Sequence, residues 1–115
     1  MSIRYVSKSL RPRTLPGRLG QRIVLTLKLW ADDPPLDGVL VTYGVIGEGA
    51  ESYRVVAGEE RTVVVTGTNG SPQELEHWIV VDGPEPPPAK IDLEAVIAHE
   101  GVTRRGATVL LLEAK

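Results

Sequence analysis

His77 and His99 have the widest chemical repertoire in this chain, because imidazole titrates near neutrality and ligates metals. A zinc site needs three or four converging ligands. His99-Glu100 continues as Gly101-Val102, so the second histidine of a His-Glu-x-x-His helix is missing, and no cysteine is present to complete a site. Asp32, Asp33 and Asp37 share one loop with Pro34, Pro35 and Gly38. Their oxygens suit calcium, but the acidic ligand that ends an EF-hand loop is absent, and Asp, Pro and Gly are also what a tight turn requires. Gly44-Val45-Ile46-Gly47-Glu48-Gly49 lacks a Gly-Lys-Ser/Thr ending and leads into no helix start, so it reads as a hairpin turn and not a phosphate cradle. Ser71, in Gly70-Ser71-Pro72, has no Gly-x-Ser-x-Gly elbow around it. The expectation is a protein that is not an enzyme, with no catalytic residue, no metal site and no cofactor.

Charge is distributed unevenly. Residues 1–31 carry Arg4, Lys8, Arg11, Arg13, Arg18, Arg22 and Lys28 with no acid, a charge of +7, whereas the remainder sets six bases against all fifteen acids, a charge of −9. Such a split suits a basic arm that docks on an acidic surface, which is its own domain, a neighbouring copy or a polyanion. The net charge of −2 argues against nucleic acid as the partner, despite Tyr5 and Trp30 as stacking groups. Arg4, Lys8, Arg11, Arg13 and Arg18 are the expected partner-binding residues.

The elements that must position these groups are strands. Ile23, Leu25, Leu27 and Leu29 alternate with Arg22, Val24, Thr26, Lys28 and Trp30, the period-2 pattern of a half-buried strand. Similar patterns mark residues 3–7, 21–30, 39–45, 52–56, 61–66, 75–81, 90–98 and 107–112, separated by Gly-, Pro- and Asp-rich breaks. Helix formers such as Ala, Leu and Glu recur from Ile91 to His99, yet Ile91, Leu93, Ala95 and Ile97 alternate with Asp92 and Glu94, which favours strand. Pro84-Glu85-Pro86-Pro87-Pro88 cannot donate ladder hydrogen bonds and reads as an extended connection between sheets. These features predict an all-β sandwich or barrel of about seven to eight strands. Residues 1–20 are expected to form an extended basic arm, and residues 21–115 a single domain, which is large enough for one core.

Residues 20–83 resemble bacterial immunoglobulin-like modules of the CARDB type. The likeness rests on the long strand Gln21 to Trp30, a Pro/Asp/Gly loop, the strand Val39 to Val45, the run Val56-Ala57-Gly58-Glu59-Glu60-Arg61-Thr62-Val63-Val64-Val65, and Val80-Val81-Asp82-Gly83. The resemblance implies an all-β, immunoglobulin-like antiparallel two-sheet β-sandwich of about seven to eight strands and carries over no functional residue.

Val63-Val64-Val65, Ile79-Val80-Val81 and Val109-Leu110-Leu111-Leu112 are apolar on both strand faces, so the outer side of each is expected to be covered, by a partner subunit or by the arm and proline segments. The expected function is that of a structural or interaction subunit of a larger assembly, homo-oligomeric with other protein subunits, such as a phage capsid decoration or tail protein. The alternative is a glycan- or peptide-binding module of a bacterial protein that uses Trp30 and Trp78. No apolar run has the length of a signal peptide or membrane span, so a virion or cytoplasmic location without membrane contact is expected.

Overall fold

A computed structural model describes residues 3–5, 10–13, 16–47, 51–68 and 70–113, which form nine strands and no helix. The strands are β1 (Ile3–Tyr5), β2 (Arg11–Pro12), β3 (Arg22–Ala31), β4 (Leu36–Ile46), β5 (Arg54–Ala57), β6 (Glu60–Val65), β7 (Gln73–Asp82), β8 (Lys90–His99) and β9 (Val102–Leu111). One sheet has the order β1-β3-β7-β5, with β2 also paired to β3; the other has the order β6-β4-β8-β9. Every ladder between named strands is antiparallel.

Consecutive strands β3 and β4 lie in different sheets, as do β7 and β8, while β3 pairs with β7 and β4 with β8. That wiring, with consecutive strands crossing between two antiparallel sheets, is a Greek-key β-sandwich, the two-sheet architecture expected. The first strand region is divided between the sheets. β1 and β2 pair with β3, and Gly17 then bridges Leu112 in parallel, donating to the Leu111 carbonyl at 2.8 Å and accepting from the Glu113 amide at 2.9 Å. Leu10 and Leu19, on either side of that crossing, are buried in the core.

The core follows the alternation. Ile23, Leu25, Leu27 and Leu29 of β3 are fully buried against Val39 and Val41 of β4 and Leu93, Ala95 and Ile97 of β8, so burial of aliphatic side chains between two pleated sheets holds the fold. The 91–98 segment is strand, its odd residues inward, in agreement with its alternation. Beyond the eight expected strands, the short β2 is added. β9 begins five residues earlier than its apolar run suggests, because Glu100 (φ 47°) and Gly101 (φ 81°) form a two-residue hairpin turn whose twist pairs His99 directly with Val102.

Candidate interaction surface

The two outer faces of the sandwich differ in chemistry. On the first sheet, β3 sends Arg22, Lys28 and Trp30 outward, β7 sends Glu74, Glu76, Trp78 and Asp82, and β5 sends Arg54. This face is charged and tied together by its own side chains. On the second sheet, the outward rows read Thr62-Leu40-Ala98-Thr103, Glu60-Thr42-Val96-Arg105, Gly44-Glu94-Ala107 and Ile46-Asp92-Val109. Val64, Val109 and Leu111 are 46%, 45% and 47% exposed there. Its charges are few: Arg105 donates to Glu94 at 2.7 Å near the middle, with Glu60, Asp92 and Lys90 toward the margins.

Of the doubly apolar segments, the outward members Val64, Val109 and Leu111 are therefore bare, whereas Val80, on the first sheet, is half-buried. Val56, exposed at the bulge of β5, is the first sheet's counterpart.

The expected partner-binding arginines are spread along the sandwich rather than gathered. Arg4 lies in β1 opposite Trp30, and Arg11 lies in β2 opposite Thr26, exposed. Lys8 lies outside the described residues. Arg13 forms an ion pair with Glu76, and since its amide donates to the Val24 carbonyl while Glu76 pairs with Thr26 from the other side, this pair crosses β3. Arg18 pairs with Glu113 at 3.3 Å. Both pairs are solvent-exposed, so each contributes about 1 kcal/mol or less to stability. Arg13 and Arg18 thus engage acids of their own chain.

The open side where β6 faces β7 holds a polar cluster that alternation alone does not reveal. The Tyr43 hydroxyl (β4) and His77 Nδ1 (β7) join the two sheets through the core at 2.7 Å, with their rings edge to face. Burial pushes the Tyr43 hydroxyl well above its usual range, opposed by the nearby Arg61 charge. Burial lowers the His77 pKa, and Arg61 lowers it further, so both rings are held neutral. Arg61 (β6) donates to the Trp78 carbonyl at 2.9 Å, and its Nε is buried with no hydrogen-bond partner. The Trp78 ring is flanked by Arg22 at 4.2 Å and Arg61 at 5.2 Å from its centroid. Gly58 makes this cluster possible. At φ 73° it turns the chain from β5 in one sheet to β6 in the other, and a β-carbon there would overlap the Trp78 carbonyl oxygen.

The remaining candidate groups stay apart. His77 and His99 lie in different sheets, and no cluster of three or more His, Asp or Glu suited to a metal occurs among the described residues. The Asp37 carboxylate accepts its own turn's Gly38 amide at 2.9 Å. Gly44 is in β4 and Gly47 (φ 86°) turns the chain at its end, but β5, the next strand, lies in the other sheet, so this segment crosses between sheets and is not the hairpin turn expected from its glycines. Trp30 and Trp78 are both half-buried on one face, but Trp78 is opposite Val24, six residues along β3 from Trp30. That spacing is roughly 20 Å, too far for one sugar platform. An open groove of about 440 Å³ lies at one end, lined by Val45, Ser52, Tyr53, Pro86, Pro87, Pro88, Lys90 and Ile91, with the Tyr53 hydroxyl donating to the Pro84 carbonyl.

Compared with known protein families and with curated proteins, the chain matches none. Among the described residues, no helix is long and apolar enough to cross a membrane.

Val64 and Leu111 carried a signal in the sequence, as the outward members of doubly apolar strands. Arg61 carried none. It occupies an inward position of β6, and only the three-dimensional arrangement shows that it reaches the edge of β7.

Proposed function

We propose that this chain is a non-enzymatic structural or interaction subunit of a larger assembly, such as a capsid decoration or tail component of a virion, docking through the outer face of the second sheet. The observation that carries this reading is the contrast between the faces. One carries the Arg13–Glu76 ion pair and has Trp78 flanked by Arg22 and Arg61; the other leaves Val64, Val109 and Leu111 near half exposure on a sheet whose charges, apart from the Arg105–Glu94 pair, lie toward its margins. Bare apolar surface of this kind gains free energy when another surface excludes water from it. The basic residues of the first strands then orient the approach rather than supply the buried area.

Sedimentation velocity from micromolar to millimolar concentration, at low and high salt, tests the reading. Apolar docking predicts association that holds or strengthens as salt rises, whereas docking through arginines weakens. A strict monomer at every concentration and salt contradicts it. Deleting residues 1–20 is a poor test, because Leu10 and Leu19 would leave the core with them.

The groove beside Tyr53 favours a second reading, recognition of a peptide or glycan, since an aromatic ring beside prolines and Lys90 offers stacking and one charge. Titration with proline-rich peptides and short oligosaccharides tests it by amide shifts at Tyr53 and Ile91. No movement at either position excludes the groove.

A further inference from the structure

β9 ends one side of the second sheet, and the direction of its backbone groups follows from its contacts. The Leu111 carbonyl accepts from Gly17 on the side away from β8, while the Leu112 amide donates to Ala89 on the β8 side. Since these groups alternate along a strand, odd-numbered residues of β9 point their N–H and C=O away from β8. Gly17 occupies that edge only at Leu111 and Glu113. Thr103, Arg105, Ala107 and Val109 therefore present a row of peptide groups with no backbone partner among the described residues.

The opposite side of the sandwich is treated differently. There, Gln73 donates to the Val64 carbonyl at 3.2 Å and accepts from the Thr66 amide at 2.8 Å, and Arg61 caps the Trp78 carbonyl. Side chains thus close the β6 and β7 edges. Among the described residues, β9 has one such contact, at its far end, where Arg104 donates to the Thr103 carbonyl at 3.2 Å; from Arg105 to Val109 it has no proline and no bulge, its register with β8 running unbroken from Val102 to Leu111. A long flat edge of this kind is a template for strand addition.

We infer that the β9 edge pairs with β9 of a second copy of this chain, antiparallel about a two-fold axis through Gly106. The register follows from symmetry and charge. The open segment from Thr103 to Val109 is centred on Gly106, so a two-fold there sets Arg105 opposite Ala107 of the other copy and Thr103 opposite its Val109. The open peptide groups of Arg105, Ala107 and Val109 are then used, the Thr103 carbonyl exchanges its Arg104 donor for the Val109 amide of the second copy, and the ladder stops where Gly17 begins. On the outer face, Glu94 lies opposite Ala107 within the chain, which brings Arg105 of the second copy two strand spacings, about 10 Å between α-carbons, from Glu94. An extended arginine spans that distance across the small Ala107 side chain. Arg105 is 64% exposed and Glu94 only 17%, so the acid is fixed while the base has freedom to reach it. At the axis Gly106 meets Gly106, which have no side chains to collide. The product is one continuous eight-stranded sheet with twice the apolar outer face, so the inference rests on the assembly reading above and names its first partner.

Ala107→Lys is the discriminating variant. The new ammonium is opposite Glu94 within the chain, which leaves the monomer's stability unchanged or raised, but opposite Arg105 of the other copy in the pair. Sedimentation is expected to show a wild-type dimer and an Ala107→Lys dimer weakened about ten-fold or more, with two like-charge contacts per dimer. Ala107→Pro removes an edge N–H that β8 does not use, and it abolishes the dimer. Amide exchange supplies a readout that needs no variant: protection at Arg105, Ala107 and Val109 rises with concentration. A dimer unaffected by both substitutions, or edge amides whose exchange ignores concentration, overturns the pairing. Val64→Lys with Leu111→Lys separates the two ideas. Association lost in that variant but kept in Ala107→Lys and Ala107→Pro overturns the β9 pairing and keeps face docking. The reverse keeps the pairing and overturns face docking.

Discussion

The charged face of the first sheet and the apolar face of the second are built from strands with the same inward alternation, yet they dispose of their outward residues in opposite ways. On the first, Arg13 reaches across β3 to Glu76, and Arg22 and Arg61 flank Trp78, so exposed groups find partners in the same molecule. On the second, the Arg105–Glu94 pair near the middle and Glu60, Asp92 and Lys90 toward the margins interrupt a surface of Leu40, Thr42, Val96, Ala98, Ala107 and Val109. A face that satisfies itself contributes to folding; a face left apolar contributes when something covers it. Substitutions on the first should alter stability without altering association, and those on the second should do the converse.

The largest stability loss is expected at Gly58, where the chain crosses between sheets. Gly58→Ala meets both a left-handed backbone and the Trp78 carbonyl, and chemical denaturation should register a loss of at least about 2 kcal/mol. A neutral effect would mean that the crossing has slack, and with it the Arg61–Trp78 cluster. Arg61→Ala comes next, at about 2 kcal/mol, from the uncapped Trp78 carbonyl and the lost arginine–indole contact. Its sedimentation should match wild type.

Acid sharpens the same region. The His77 pKa is lowered in the fold from an ordinary 6.5 by burial and by Arg61, so the unfolded chain binds the proton more readily. The stability contributed by neutral His77 is complete above about pH 6.5 and declines as pH falls below it. Thermal melts across this range should show the decline, and His77→Gln should flatten it; an equal slope in the variant would assign the effect elsewhere. A smaller effect is expected for the Arg13–Glu76 pair, whose coupling in a double-mutant cycle should stay below about 1 kcal/mol and fade with salt.

Sequence periodicity carried the sandwich, because a two-sided sheet enforces alternation: Ile23 to Leu29 and Ile91 to Ile97 each announce an inward face. The start of β9 was less legible, since Thr103, Arg104, Arg105 and Gly106 have no apolar alternation and are strand through their pairing with β8. Excess apolar residues flagged Val64 and Leu111, but whether such residues lie bare or beneath another segment depends on tertiary packing, as half-buried Val80 shows. The basic N-terminal residues were legible as charge and not as position. Arg13 and Arg18 meet Glu76 and Glu113, 63 and 95 residues away, and no local pattern encodes such pairings. Arg61 was hidden for the related reason that one charged residue on an edge strand does not reveal which neighbouring edge it reaches.

Denaturation and sedimentation of one variant, Val64→Lys with Leu111→Lys, test the contrast between the faces most directly. Both residues point outward from the second sheet, at opposite margins of its bare surface. The predicted result is stability within about 0.5 kcal/mol of wild type, as for ordinary surface substitutions, together with loss of the wild-type association. Association retained in full by a stable double variant would contradict the assignment of this face to docking.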